Sequence, residues 1–257
     1  MGDYILSQDP DRETERRRLE MLQRYQDAPT IRCLEQTGIT TGWRCLDAGA
    51  GAGSISRWLA SRVGPSGGVL AVDLDTSLLE ESDNLGVRQH DLRTDQLPEG
   101  VFDLVHTRLV LTHLPEREDV LDALVRACRP GGWVVVGDID YSTTGIDRPD
   151  EEFERVCDSY NVISAKAGGD PVIGPKLPEM LQRQGLVDVQ AEEFRTLVRG
   201  GSAGATALSL TFERIRERAV EVGVPDASVA RARELVMDPA VGVYSPSFWT
   251  AWGRRRA

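Results

Sequence analysis

Between Gly42 and Asp138 short apolar runs alternate with stretches of helical spacing. The runs Arg44 to Asp47, Gly68 to Val72, Val87 to His90, Phe102 to Thr107 and Trp133 to Asp138 read as strands. Ile55 to Val63 and Glu116 to Cys128 read as helices, the second with Val120, Leu121, Leu124 and Val125 on one face. Such alternation is the pattern of repeated βαβ units and a parallel sheet. The linker Thr76 to Asn84 has room for a brief helix at most.

Outside this region the period changes. From Asp11 to Gln36 the chain is rich in Arg and Glu, and Leu19, Leu22, Tyr25, Ile31 and Leu34 fall near helical spacing. One or two amphipathic helices are expected there, with Pro29 as the break between them. Beyond Ile139 a helix over Asp150 to Ala167, the Gly/Pro-rich turn GGDPVIGPKLP and a second helix ending near Gln184 suggest a cap over the top of the sheet. A strand over Leu186 to Phe194, a helix over Ala203 to Val222 and a last strand over Ser247 to Gly253 follow.

Composition narrows the function. Of 257 residues, 40% are hydrophobic and 28% charged, which is a globular balance and long enough for one α/β domain with an insertion. No apolar run reaches the roughly 20 residues needed to cross a bilayer, and the opening MGDYILSQDPDRETERRR has charges where a signal peptide needs apolar residues. A cytoplasmic protein with no membrane partner is expected. The net charge of −11 opposes a phosphate backbone, so nucleic acid is not an expected partner either. Cys33, Cys45, Cys128 and Cys157 form no C-x-x-C pair and read as reduced thiols; no metal is expected.

The chemistry is carried by Leu46-Asp47-Ala48-Gly49-Ala50-Gly51-Ala52-Gly53-Ser54, between the first strand and the first helix of the alternating region. Glycines there let the chain turn sharply and let a ligand lie directly against the main chain. The dinucleotide fingerprint G-x-G-x-x-G would need glycine where Ser54 stands, and a P-loop would need a lysine that is absent. The spacing Asp47, Gly49, Gly51, Gly53 instead resembles the first motif, D/E-x-G-x-G-x-G, of the class I methyltransferase family. Further matches follow in order. Asp73 closes Val69-Leu70-Ala71-Val72-Asp73, Asp91 follows His90, the fourth strand reads Phe102-Asp103-Leu104-Val105-His106, and Arg129-Pro130-Gly131-Gly132 precedes the fifth. Less specific likenesses are Tyr4 and Arg18-Leu19 near the start and Trp252-Gly253-Arg254-Arg255 near the end.

The resemblance implies a doubly wound α/β fold, a Rossmann-like seven-stranded sheet that is mostly parallel with one antiparallel strand. Its implied layout is one domain: a helical lid at 1–40, an S-adenosylmethionine-binding core at 41–140, a helical cap at 141–185 and the rest of the sheet with a helical insertion at 186–257. It implies cofactor contacts from Tyr4, Asp47, Gly49, Ala50, Gly51, Gly53, Asp73, Leu74, Asp91, Leu92 and Thr107. Asp73 would hold the ribose hydroxyls, Leu74 would pack on the adenine and Asp91 would face its amino group, while the short second crossover departs from the family at the adenine wall. Plainer readings stand beside these: Asp73 as a helix cap, Asp91 as a turn residue, Asp47 as a brace for the glycine loop.

Because the sulfonium donor is already activated, the protein's tasks are alignment and exclusion of water, and a general base is optional. His113 and Asp140 are the candidate bases, with His113 packing under the cofactor and Asp140 as a loop carboxylate as the alternatives. His106 reads as structural. Arg108 could meet an acidic substrate or pair locally, and Phe153, Tyr160 and Phe212 could line the acceptor pocket or fill the core. The expected activity is methylation of an O, N or C nucleophile on a small-molecule acceptor in a biosynthetic pathway; a homodimer is left open. The rivals are a non-methylating enzyme of the same fold and a non-catalytic binding protein.

Overall fold

A computed structural model describes residues 12–257. The elements in chain order are α1 (Arg12–Gln36), β1 (Arg44–Ala48), α2 (Ser54–Val63), β2 (Gly68–Asp73), β3 (Leu85–Gln89), β4 (Phe102–Arg108), α3 (Arg117–Ala127) and β5 (Cys128–Asp140). Then come β6 (Gly145–Ile146), α4 (Glu151–Lys166), α5 (Leu177–Arg183), β7 (Val187–Phe194), β8 (Leu197–Val198), α6 (Ala203–Glu221), α7 (Asp226–Met237), β9 (Val243–Tyr244) and β10 (Ser247–Arg254).

The main sheet has seven strands in the order β3-β2-β1-β4-β5-β10-β7. All pairings are parallel except those of β10, which runs antiparallel to both β5 and β7. Both faces are covered, which is why these strands read as continuous apolar runs. On one face Leu46, Val105, Val134 and Val136 pack under Leu121 and Leu124 of α3. On the other, Cys45, Leu104 and Val135 pack under Leu34 of α1 and Leu59 and Val63 of α2. The strand order reverses at β1, and the ligand crevice of an open α/β sheet forms at the carboxyl ends beside such a reversal.

The structure departs from the sequence reading in four places. α1 is a single helix that runs through Pro29. Proline removes one backbone donor, but the Thr30 hydroxyl donates to the Gln26 carbonyl at 2.8 Å in that turn. Leu34 and Cys33 beyond it are buried against the sheet, so packing carries the helix past the break. β3 starts at Leu85, two residues earlier than its apolar run suggests, because it is an exposed edge strand. The Arg129-Gly132 turn lies inside β5 as an irregularity in its pairing with β4.

The fourth departure concerns the cap. α5, expected within 141–185 as cap, contributes Leu177, Met180 and Leu181 to the main core. α4 instead packs with α6 and α7 in a separate cluster centred on Phe153, Tyr160, Phe212, Ile215 and Val236. A small sheet, β6-β9-β8, ties its base together. α7 has no counterpart in the sequence reading: its buried face is largely Ser228, Val229 and Ala232, a weak apolar signal. Among the described residues no helix is long and apolar enough to cross a membrane.

Candidate active site

Each of Gly49, Gly51 and Gly53 has a positive φ, between 57° and 75°. The turn they form is pinned from below: the Gly49 and Ala50 N–H groups both donate to the Val72 carbonyl, at 2.8 and 3.1 Å. A side chain at Gly49 would start 2.2 Å from a Val110 methyl, so the turn is closed against the loop after β4. Gly49, Ala50, Gly51 and Ala52 thereby line a cleft of about 790 Å³ along the carboxyl edge of the sheet. That volume is in the range of cofactor and small-molecule sites, ~300–1,000 Å³.

Asp73, at the end of β2, points across the same cleft. Its carboxylate accepts the Gly51 N–H at 2.8 Å and the Asp75 N–H at 3.1 Å. Burial raises its pKa, these backbone donors oppose the rise, and nearby Asp47 adds to it. Leu74, half-exposed, lines the cleft beside it, as do Asp91 and Leu92 after β3. The Asp91 carboxylate is engaged by the Arg93 guanidinium at 2.7 and 2.9 Å, which holds its pKa below the usual range.

Two of the expected cofactor contacts, Gly53 and Thr107, do not line the cleft in the structure. Gly53 sits behind the turn, where a side chain would meet Leu79 at 2.8 Å, and its conformation serves the entry into α2. Thr107 is fully buried within β4. Side chains alternate along a strand, so its neighbours His106 and Arg108 face the cleft while Thr107 faces the opposite layer. Tyr4 lies outside the described residues. Asp47 lines the cleft floor, but its oxygens are taken by Ser56 and by His106, whose Nδ1 is 2.8 Å away. Burial opposes its ionisation, yet the His106 Nδ1–H bond, the Ser56 hydroxyl and the charge of Arg108 outweigh it and hold the pKa low.

The two candidate bases separate. His113 lines the cleft, and burial followed by the charge of Arg18 pushes its pKa down to about 3. Such an imidazole is neutral at physiological pH and a weak proton acceptor. Asp140 does not line the cleft; it caps the turn after β5, accepting the Ser142 N–H at 2.9 Å and the Ser142 hydroxyl. Asp140→Asn is therefore expected to keep activity within about threefold, where loss of a true general base would cost about 100-fold or more. His113 should contribute no inflection to kcat/KM between about pH 5 and 9; one near pH 6.5 that vanishes in His113→Asn would restore it as the base.

The far half of the cleft is built by elements the motifs do not reach. α1 supplies Glu15, Arg18, Leu19, Leu22 and Gln26, and α6 supplies Ala207, Leu208, Thr211 and Arg214. Arg18 holds Glu15 through two bonds of 2.7 and 2.9 Å. Arg108 pairs with Asp27 and Thr30 of α1, not with Asp103, which is held by Arg129. Of the three aromatics considered from sequence, Tyr160 lines the cleft against Tyr141, while Phe153 and Phe212 are core residues packed edge to face. No local signal marks the α6 residues, which read as an ordinary amphipathic helix.

Comparison with known proteins agrees with this geometry. A methyltransferase-domain family matches residues 46–136, the span from β1 to β5. The chain is 31% identical over 189 residues to an uncharacterized 37.1 kDa protein in transposon TN4556 of Streptomyces fradiae, covering 71% of this chain and 54% of that one. It is 30% identical over 138 residues to the ubiquinone/menaquinone biosynthesis C-methyltransferase UbiE of Ectopseudomonas mendocina, covering 50% and 52% respectively. It thus spans about half the length of these curated relatives. Among solved structures, the fold resembles Haemonchus contortus phosphoethanolamine N-methyltransferase 2, with a TM-score of 0.56 and 18% identity over 90% of this chain and 53% of that chain. Residues 46–136 thus match a methyltransferase domain, and the fold is that of the class I S-adenosylmethionine-dependent methyltransferases.

Proposed function

We propose that the chain binds S-adenosylmethionine along the glycine turn and Asp73, and transfers its methyl group to an O, N or C nucleophile of a small molecule in the cytoplasm. The observation that carries this reading is continuity. One cleft runs from Asp73 and Gly49–Ala52 into the half walled by Tyr141, Tyr160 and Leu208, so donor and acceptor would share a single enclosed space. The residues fit the cofactor: close backbone approach suits a ligand without phosphates, and the carboxylates of Asp47 and Asp73 suit a cation. Bound there, S-adenosylmethionine supplies an electrophilic methyl group. Asp73 would accept from the ribose hydroxyls, Leu74 and Leu92 would flank the adenine, and α1 with the α4–α6–α7 cap would exclude water.

The mixed apolar and aromatic lining of the far half supports an acceptor that is a small, partly apolar molecule. Among the described residues no side chain there is poised as a strong base, which supports an acceptor that is itself nucleophilic. Calorimetric titration with S-adenosylmethionine, S-adenosylhomocysteine and NADH tests the cofactor reading. Binding of the first two and not the third is expected; NADH binding, or no binding of either adenosyl ligand, would overturn it. Release of S-adenosylhomocysteine on turnover then separates methyl transfer from a cofactor-assisted reaction without it.

A further inference from the structure

Two buried acceptors beneath α1 have no donor among the described residues. β1 and β4 are parallel neighbours with Asp47 level with His106. Both side chains point toward the α1–α2 layer, because Leu46, Ala48 and Val105 occupy the opposite face. Asp47, clamped by Ser56, takes the His106 Nδ1–H at 2.8 Å. In the neutral imidazole that bond leaves the lone pair on Nε2. His106 is 1% exposed and lines the cleft, yet its Nε2 is without a partner. Facing the same cleft from α1, Gln26 is 5% exposed, and its amide oxygen is likewise buried and without a partner.

An unpaired buried acceptor costs about 1–3 kcal/mol, so two in one cleft mark a place where a ligand brings donors. The chemistry around them narrows which donors. Arg108, two residues beyond His106 on the same face of β4, sets a guanidinium into the same end of the cleft, fixed there by Asp27 and Thr30. Acceptors beside an anchored cation, next to a glycine turn, match an amino-acid zwitterion: an ammonium carrying three donors and a carboxylate. An aromatic amine or a phosphate matches only part of the set.

We propose that His106, held in its acceptor tautomer by Asp47, and Gln26 of α1 bind the α-ammonium of the methionine portion of S-adenosylmethionine. Asp47 is then a positioning residue, acting through His106. This rests on the cofactor reading above and adds to it a device that couples α1 to the cofactor: Gln26 comes into place only when the helix lies over the cleft.

The test uses two ligands that differ in that group alone: S-adenosylhomocysteine, and 5′-methylthioadenosine, which has the adenosyl thioether but no amino-acid portion. Both are titrated into the wild type, His106→Asn, which keeps a donor for Asp47 but cannot reach the Nε2 position, and Gln26→Met, which leaves the Asp47–His106 pair intact. Each variant should bind S-adenosylhomocysteine roughly 10- to 100-fold more weakly and 5′-methylthioadenosine within about twofold of the wild type. Asp73→Ala, on the ribose side, should weaken both ligands. Equal losses for the two ligands, or no loss for either, would make His106 and Gln26 structural and overturn the inference. A wild type that binds neither ligand would instead sink the cofactor reading. Should His106→Asn not fold, Gln26→Met decides the matter.

Discussion

Asp73→Ala is expected to weaken S-adenosylhomocysteine binding by about 2–4 kcal/mol, a loss of roughly 30- to 700-fold, while changing thermal stability little. Two effects combine. The carboxylate would take two charge-assisted bonds from the ribose, and it already takes the Gly51 and Asp75 N–H groups, so it both receives the ligand and sets the turn that the ligand lies against. Asp73→Asn separates them: the amide keeps one acceptor for Gly51 but loses charge and one ribose bond, so an intermediate loss is expected. Calorimetry on the three proteins gives the comparison. Affinity unchanged in Asp73→Ala would remove the ribose from this carboxylate and move the cofactor elsewhere in the cleft.

Gly49→Ala is expected to lower stability by about 2–5 kcal/mol and to abolish measurable cofactor binding. A left-handed φ of 75° costs a residue with a Cβ about 1–2 kcal/mol. The new methyl would stand 2.2 Å from Val110 Cγ2, and overpacking of this kind adds about 1–3 kcal/mol. The second part is removable. Val110→Ala takes away the clashing methyl, so Gly49→Ala/Val110→Ala should recover the overpacking share and retain the backbone share. Thermal melts of the two single variants and the double variant form the cycle. Strict additivity would mean that the turn does not close against Val110.

Glycine spacing and strand endings were readable because they depend on local backbone demands. Asp47, Gly49, Gly51 and Asp73 stand at strand ends, where a short apolar run followed by glycine or an acidic residue is visible in any window. The structure places all four on the cleft. Thr107 failed for an equally local reason: one residue's shift along β4 turns a side chain from the cleft into the opposite layer. Asp140 failed because an aspartate after a strand serves equally well as a turn cap, and Ser142 two residues on makes it one.

His106 and Gln26 belong to a different category. A histidine inside an apolar strand and a glutamine in an Arg/Glu-rich helix carry no sign of each other, since 80 residues of chain separate them, and Gln26 stands three residues before a proline that reads as a helix break. The cap is similar. Its core joins Phe153 and Tyr160 to Phe212, Ile215 and Val236, pairings between elements that periodicity describes one at a time.

By itself, then, the sequence determined the doubly wound sheet and the glycine turn between β1 and α2, because hydrophobic period and left-handed backbone positions are properties of adjacent residues. Only the tertiary structure decided that α1 passes unbroken over the cleft, that α5 joins the main core while α4 packs with α6 and α7, and which polar atoms end buried in the cleft without a partner. Each of those outcomes depends on burial between distant segments, where packing free energy overrides what a proline or a short apolar run favours locally.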